Sequence, residues 1–151
     1  MSQWTHITAA IRYNYLEMLM GNSPIDMGCF GKPVGWEDDF KSEVPAITGS
    51  PTLPCGSEGS LDYEIIKSKD ESSLGCRDAI FHGDLRDYDD VEEILEYFKE
   101  ITTKDKYMVR SGVLEIDVEF KRARVFRFDI DTKEWVEYVP TKGFYRRKLY
   151  K

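Results

Sequence analysis

The chain carries two histidines, His6 in "HIT" and His82 in "HGD". Two imidazoles brought to the same end of a sheet, each with a hydroxyl two residues further along its strand, can hold and cleave a phosphodiester by acid–base work. "HIT" supplies that hydroxyl in Thr8. "HGD" does not, because Asp84 stands in its place.

Other nucleophilic or metal-binding sets are also incomplete. A cysteine nucleophile needs a base within hydrogen-bond reach. Cys76 and His82 are six residues apart on one predicted strand, roughly 20 Å at the usual rise, so they cannot pair. Cys29, Cys55 and Cys76 lack the C-x2-C spacing of a zinc site, so no metal site is expected. No cofactor motif is found. "HGDLRDYDD" gathers Asp84, Asp87, Asp89 and Asp90 around Arg86, but without the spacing of a calcium loop. Acidic residues there suit the positive end of a following helix, and Arg86 is expected to order the loop.

"CGSEGSLDYEII" invites comparison with a phosphate loop, whose glycines let backbone amides converge on an anion ahead of a helix. Here the glycines precede a strand, since Leu61, Tyr63 and Ile65 alternate with Asp62 and Glu64. Glu58 would repel phosphate. A tight turn into a strand is the expectation.

Charge divides the chain. Residues 1–120 hold 11 Lys+Arg against 24 Asp+Glu, a balance of -13, while residues 121–151 hold 10 against 4, a balance of +6. An acidic body argues against general DNA binding, but the basic end can hold a smaller anion or an acidic partner. Arg122, Arg124 and Arg127 fall on one predicted strand and form the candidate anion site. "FYRRKLYK" mixes cations with aromatics in a predicted tail. The signature of an RNA-recognition domain is missing from the third strand, "CRDAIFHG".

The elements that must position these residues follow from periodicity. Trp4–Arg12 reads as a strand, and Asn14 begins a short helix ending near Gly21. Residues 21–60 hold five of the six prolines and seven of the eleven glycines. Phe30, Trp36, Phe40 and Ile47 within them point to an ordered insertion packed on the body, with Trp36 and Phe40 as candidate partner contacts. Leu61–Lys67 and Cys76–Gly83 form a hairpin. Asp90 caps a helix whose Val91, Ile94, Leu95, Phe98 and Ile101 share a face. Leu114, Ile116, Val118 and Phe120 alternate with acids, and strands near 123–128 and 134–139 complete a meander. The order strand, helix, strand, strand, helix, strand predicts an α+β, ferredoxin-like split βαβ sheet with an added C-terminal hairpin. One domain is expected over 1–139, with 21–60 as its insertion and 140–151 as a basic tail.

No apolar run approaches the ~20 residues of a membrane span, and an odd cysteine count with no signal-peptide pattern places the protein in the cytoplasm. Taken together, "WTHITAAIR", "CGSEGSL" and "GDLRDYDDVEEIL" resemble a group of short bacteriophage accessory proteins over about residues 4–120. The resemblance implies a factor that blocks or sequesters a host component, a host-defence antagonist in the infected cell's cytoplasm, and carries over no catalytic residue. A non-enzymatic binder of a host protein is the leading expectation, with homo-oligomers compatible. A binder of nucleotide-like phosphorylated ligands through the basic third is the second, and a two-histidine phosphoesterase the third.

Overall fold

In a computed structural model, residues 2–14, 53–66, 76–103, 109–141 and 144–149 are described. The predicted helix after Asn14 and most of the 21–60 insertion, Trp36 and Phe40 included, lie outside them. Among the described residues seven strands and one helix follow in order: β1 (Trp4–Asn14), β2 (Asp62–Ile66), β3 (Cys76–Arg86), α1 (Val91–Thr103), β4 (Val109–Val118), β5 (Arg124–Asp129), β6 (Glu134–Thr141) and β7 (Phe144–Leu149). They build one sheet in the order β2-β3-β1-β4-β5-β6-β7, antiparallel at every pairing. The architecture is α+β. No described helix is long and apolar enough to cross a membrane.

β1 sits between β3 and β4 and takes its register from both, with Ile7 opposite Gly83 on one side and Ile116 on the other. Successive side chains of a strand point to opposite faces. Thr5, Ile7, Ala9, Ile11 and Tyr13 are therefore all buried, while His6, Thr8 and Arg12 face solvent.

The helix covers the buried face. Asp90 caps it as its sequence predicts, its Oδ1 accepting the Glu93 amide at 3.1 Å. Ile94, Leu95, Phe98 and Ile101 are buried as expected, and Tyr97 joins them. Phe98 meets Phe81 edge-on at 5.2 Å between centroids and Trp135 at 6.0 Å, so α1 bridges β3 and β6. Such aromatic pairs contribute about 0.5–1.5 kcal/mol beyond the area they bury. Two polar links hold the helix in register: Tyr13 donates to the Ile101 carbonyl at 3.0 Å, and the Trp135 indole donates to the Thr102 hydroxyl at 3.1 Å. Gly112 leaves room for that indole, since a Cβ there would lie 2.8 Å from Trp135 Cη2.

The "CGSEGS" loop is a turn, as read from sequence. The Ser57 amide donates to the Arg86 carbonyl at 2.8 Å and the Arg86 amide to the Glu58 carbonyl at 2.9 Å, so the loop hydrogen-bonds to the last residue of β3. Gly59 has φ 76°, and a Cβ there would fall 2.0 Å from the Asp84 carbonyl oxygen. Arg86 also ties this loop to the N-terminus, reaching Glu58 Oε1 at 2.8 Å and Ser2 Oγ at 2.6 Å.

Several boundaries differ from the sequence reading: β1 runs on through Asn14, the expected start of a helix, and β3 runs to Arg86 instead of ending at Gly83. β4 begins at Val109 instead of Leu114 and stops at Val118. Phe120 is not part of its apolar stripe: it is 85% exposed in a turn with φ 64°, closed by the Lys121 amide on the Val118 carbonyl. The expected tail over 140–151 is instead largely ordered strand, since β6 runs to Thr141 and residues 144–149 pair with it as β7. A short connection returning an edge strand is enough for that, and no long apolar run is needed.

Replacing Thr102 by Val should cost about 1–3 kcal/mol in urea unfolding, because the buried Trp135 N–H then has no acceptor. An unchanged midpoint would show that this bond adds nothing to helix docking.

Candidate functional site

The face of the sheet opposite α1 carries the chemistry. Register sets His6 across from Asp84 on β3 and Asp117 on β4, and sets His82 across from Thr8 on β1 and Asp62 on β2. Glu115 lies across from Thr8 on the other side. The "HIT" and "HGD" segments thus run past each other on adjacent strands, and the two histidines are diagonal neighbours, roughly 7–8 Å apart at Cα. The two histidines are neighbours as expected from sequence, but His82 does not end β3, which runs on to Arg86.

Their environment differs from that of a phosphoesterase. His6 Nδ1 and Asp84 Oδ1 are 2.6 Å apart. That hydrogen bond raises the His6 pKa above 6.5; desolvation opposes it, and the charges of Asp84, Asp117 and Glu119 add to it. Asp84, replacing the hydroxyl of a second His-x-Ser/Thr motif, therefore engages the first histidine itself. Asp62, Glu115 and Asp117 surround the pair, so a phosphodiester brought to the imidazoles would meet like charge on both flanks. Among the described residues no group of three or more His, Cys, Asp or Glu side chains could hold a metal ion. Cys55, half-buried, gives its thiol to the Leu53 carbonyl at 3.2 Å.

The three candidate arginines do not converge. Arg122 is exposed in the turn before β5. Arg124 and Arg127 are three residues apart on one strand, an odd spacing that sends them to opposite faces. Arg124 goes to the helix side, where its guanidinium donates to both carboxylate oxygens of Glu137 at 2.9 Å and lies 5.2 Å from the centre of the Phe126 ring. Glu137 is 7% exposed, so this fork serves a buried carboxylate and holds the arginine charged, its pKa raised chiefly by that bond. Arg127 emerges on the open face opposite Val113 and Val136. There it lines a cleft with Arg110, Ser111, Asp129 and Tyr138.

Arg110 was missed by sequence reasoning, and its placement has a definite cause. Arg12 pairs with Ser111 and Tyr13 with Val109, so Arg110 is the extra residue of a β-bulge. Two successive exposed positions, Arg110 and Ser111, interrupt an otherwise alternating strand.

Arg124→Ala should lower stability by about 3 kcal/mol, the low end for leaving a buried carboxylate without its cation, whereas Arg127→Ala should stay within about 0.5 kcal/mol in the same urea titration. Equal effects would contradict the division between faces. For His6, Asp84→Asn should move the imidazole titration seen by NMR down toward 6.5. Because the folded pKa is raised, the pair's stabilisation is full below pH 6.5 and is lost as pH rises through the folded value. Wild type should therefore lose more stability than Asp84→Asn between those limits. The chain matches no family model, no curated protein and no solved structure.

Proposed function

We propose that the protein is a non-enzymatic binding protein that occupies a partner with the open face of its sheet, as a bacteriophage accessory factor acting on a host component in the host cytoplasm would. The observation that carries this reading is the unbalanced charge of that face. Asp62, Glu64, Glu115 and Asp117 rise from β2 and β4 with no ion-pair partner among the described residues. Val113, about half exposed, lies in the same register row as Ala10 and Ile80. An acidic surface with an apolar strip at its centre suits the basic surface of another protein, because charge complementarity speeds encounter and the apolar strip loses water on docking.

The fold reading is the ferredoxin-like one. It is supported by the order β2-β3-β1-β4, antiparallel throughout, and by α1 carrying the chain from β3 to β4 across one face. A hydrolytic function for the histidines is disfavoured by the carboxylates on their flanks.

The test is capture from a bacterial lysate followed by binding of the identified partner in purified form. Wild type should capture a basic-surfaced protein whose affinity falls at least about tenfold with Glu115→Lys plus Asp117→Lys, charge-assisted contacts contributing about 1.5–3 kcal/mol each. Glu96→Lys plus Glu100→Lys, the same charge change on α1, should leave affinity nearly unchanged. Equal weakening by both pairs, or no captured partner, would overturn the reading.

A further inference from the structure

We propose that the cleft between the β4 bulge and β6 binds small phosphate monoesters of sugar-phosphate size. This site is independent of the protein-docking reading. It lies on the β4–β6 side of the open face, where Arg127 stands opposite Val113.

The cleft has a volume of about 260 Å³. Among the described residues its cations are Arg110 from β4 and Arg127 from β5, both exposed. Among the described residues neither has an ion-pair partner, in contrast to Arg12, Arg86 and Arg124, each of which meets a carboxylate. Two guanidiniums on one small cleft repel each other unless an anion lies between them, and a tetrahedral dianion presents enough acceptors for both. The Ser111 hydroxyl and the Tyr138 phenol supply neutral donors in the same lining. Asp129 is the lining carboxylate, and its Oδ1 already accepts the amides of Asp131 at 2.9 Å and Thr132 at 3.3 Å. Val136, buried at the base, gives an apolar surface for the uncharged part of the ligand. In the register of β7, position 147, an arginine, stands opposite Tyr138.

Size and field restrict the ligand. The volume lies just below the ~300–1,000 Å³ of ordinary ligand sites and suits a phosphate with one small ring. A polynucleotide would extend over the carboxylates of β1–β4 and be repelled, so the acidic body makes the site selective for short anions.

Ribose 5-phosphate is the probe, followed by NMR on the intact chain. Saturable shifts should centre on the amides of Ser111, Arg127 and Tyr138, with Kd below about 1 mM, and inorganic phosphate should compete. Ribose should produce none of them. Arg110→Gln and Arg127→Gln should each weaken binding at least about tenfold, as expected for losing a hydrogen bond to a charged group. Arg122→Gln, an exposed arginine outside the cleft, should not. The spectrum of each variant reports whether it is folded. Absence of saturation, shifts of equal size with ribose, or equal weakening by Arg122→Gln would each overturn the proposal, the last two marking an unspecific charge or sugar effect.

Discussion

β1 is hydrogen-bonded along both edges, so its two-residue parity is imposed on its neighbours. Once Ile7, Ile11 and Tyr13 are committed to the helix side, Phe81 and Leu85 on β3 and Leu114 and Ile116 on β4 must follow, and all of them are buried. The same parity exposes His6, Thr8, His82, Asp84, Glu115 and Asp117 together. A one-residue slip of any central strand would bury charge and expose core at once. The surface chemistry of the open face is in this sense a by-product of how the core is specified.

Much of this was readable because it is local. The Asp90 cap, the apolar stripe of α1 and the alternation of Leu114, Ile116 and Val118 each lie within a few residues, and the structure follows them. The grouping of Arg124 with Arg127 failed for a reason also present in the sequence, their odd spacing on a strand. Arg124 has a buried partner, Glu137, thirteen residues away across the β5–β6 hairpin, and no local pattern announces that pairing. The start of β4 was hidden because the bulge at Arg110 breaks the alternation that identifies a strand. Phe120 misled in the opposite direction, continuing the period by chance after the chain had turned. β7 was unreadable because its polar, cationic composition matches that of a solvated tail. An edge strand paired on one side needs little apolar content.

The reversal of charge along the chain becomes a separation across the sheet. Carboxylates stand on the open face of β2, β3 and β4, on either side of β1, and two arginines without an ion-pair partner among the described residues, Arg110 and Arg127, gather at the junction of β4 and β5. One guanidinium of the basic third is used inside, where Arg124 neutralises Glu137, and so is unavailable to a ligand. The net formal charge of -7 describes neither half, since encounter with a partner is governed by the field of the face that meets it.

The position of β1 also bears on how the chain is made. It leaves the ribosome before either of its partners, residues 76–86 and 109–118. At about 5–20 residues per second, its apolar stripe waits on the order of ten seconds before both neighbours exist. The β5–β6–β7 meander, by contrast, can pair as soon as it emerges, through short hairpins that close in microseconds. The sheet therefore closes around β1 only after β4 has been made, and until then the apolar stripe of β1 is exposed to chaperones and to premature association between neighbouring chains on one message.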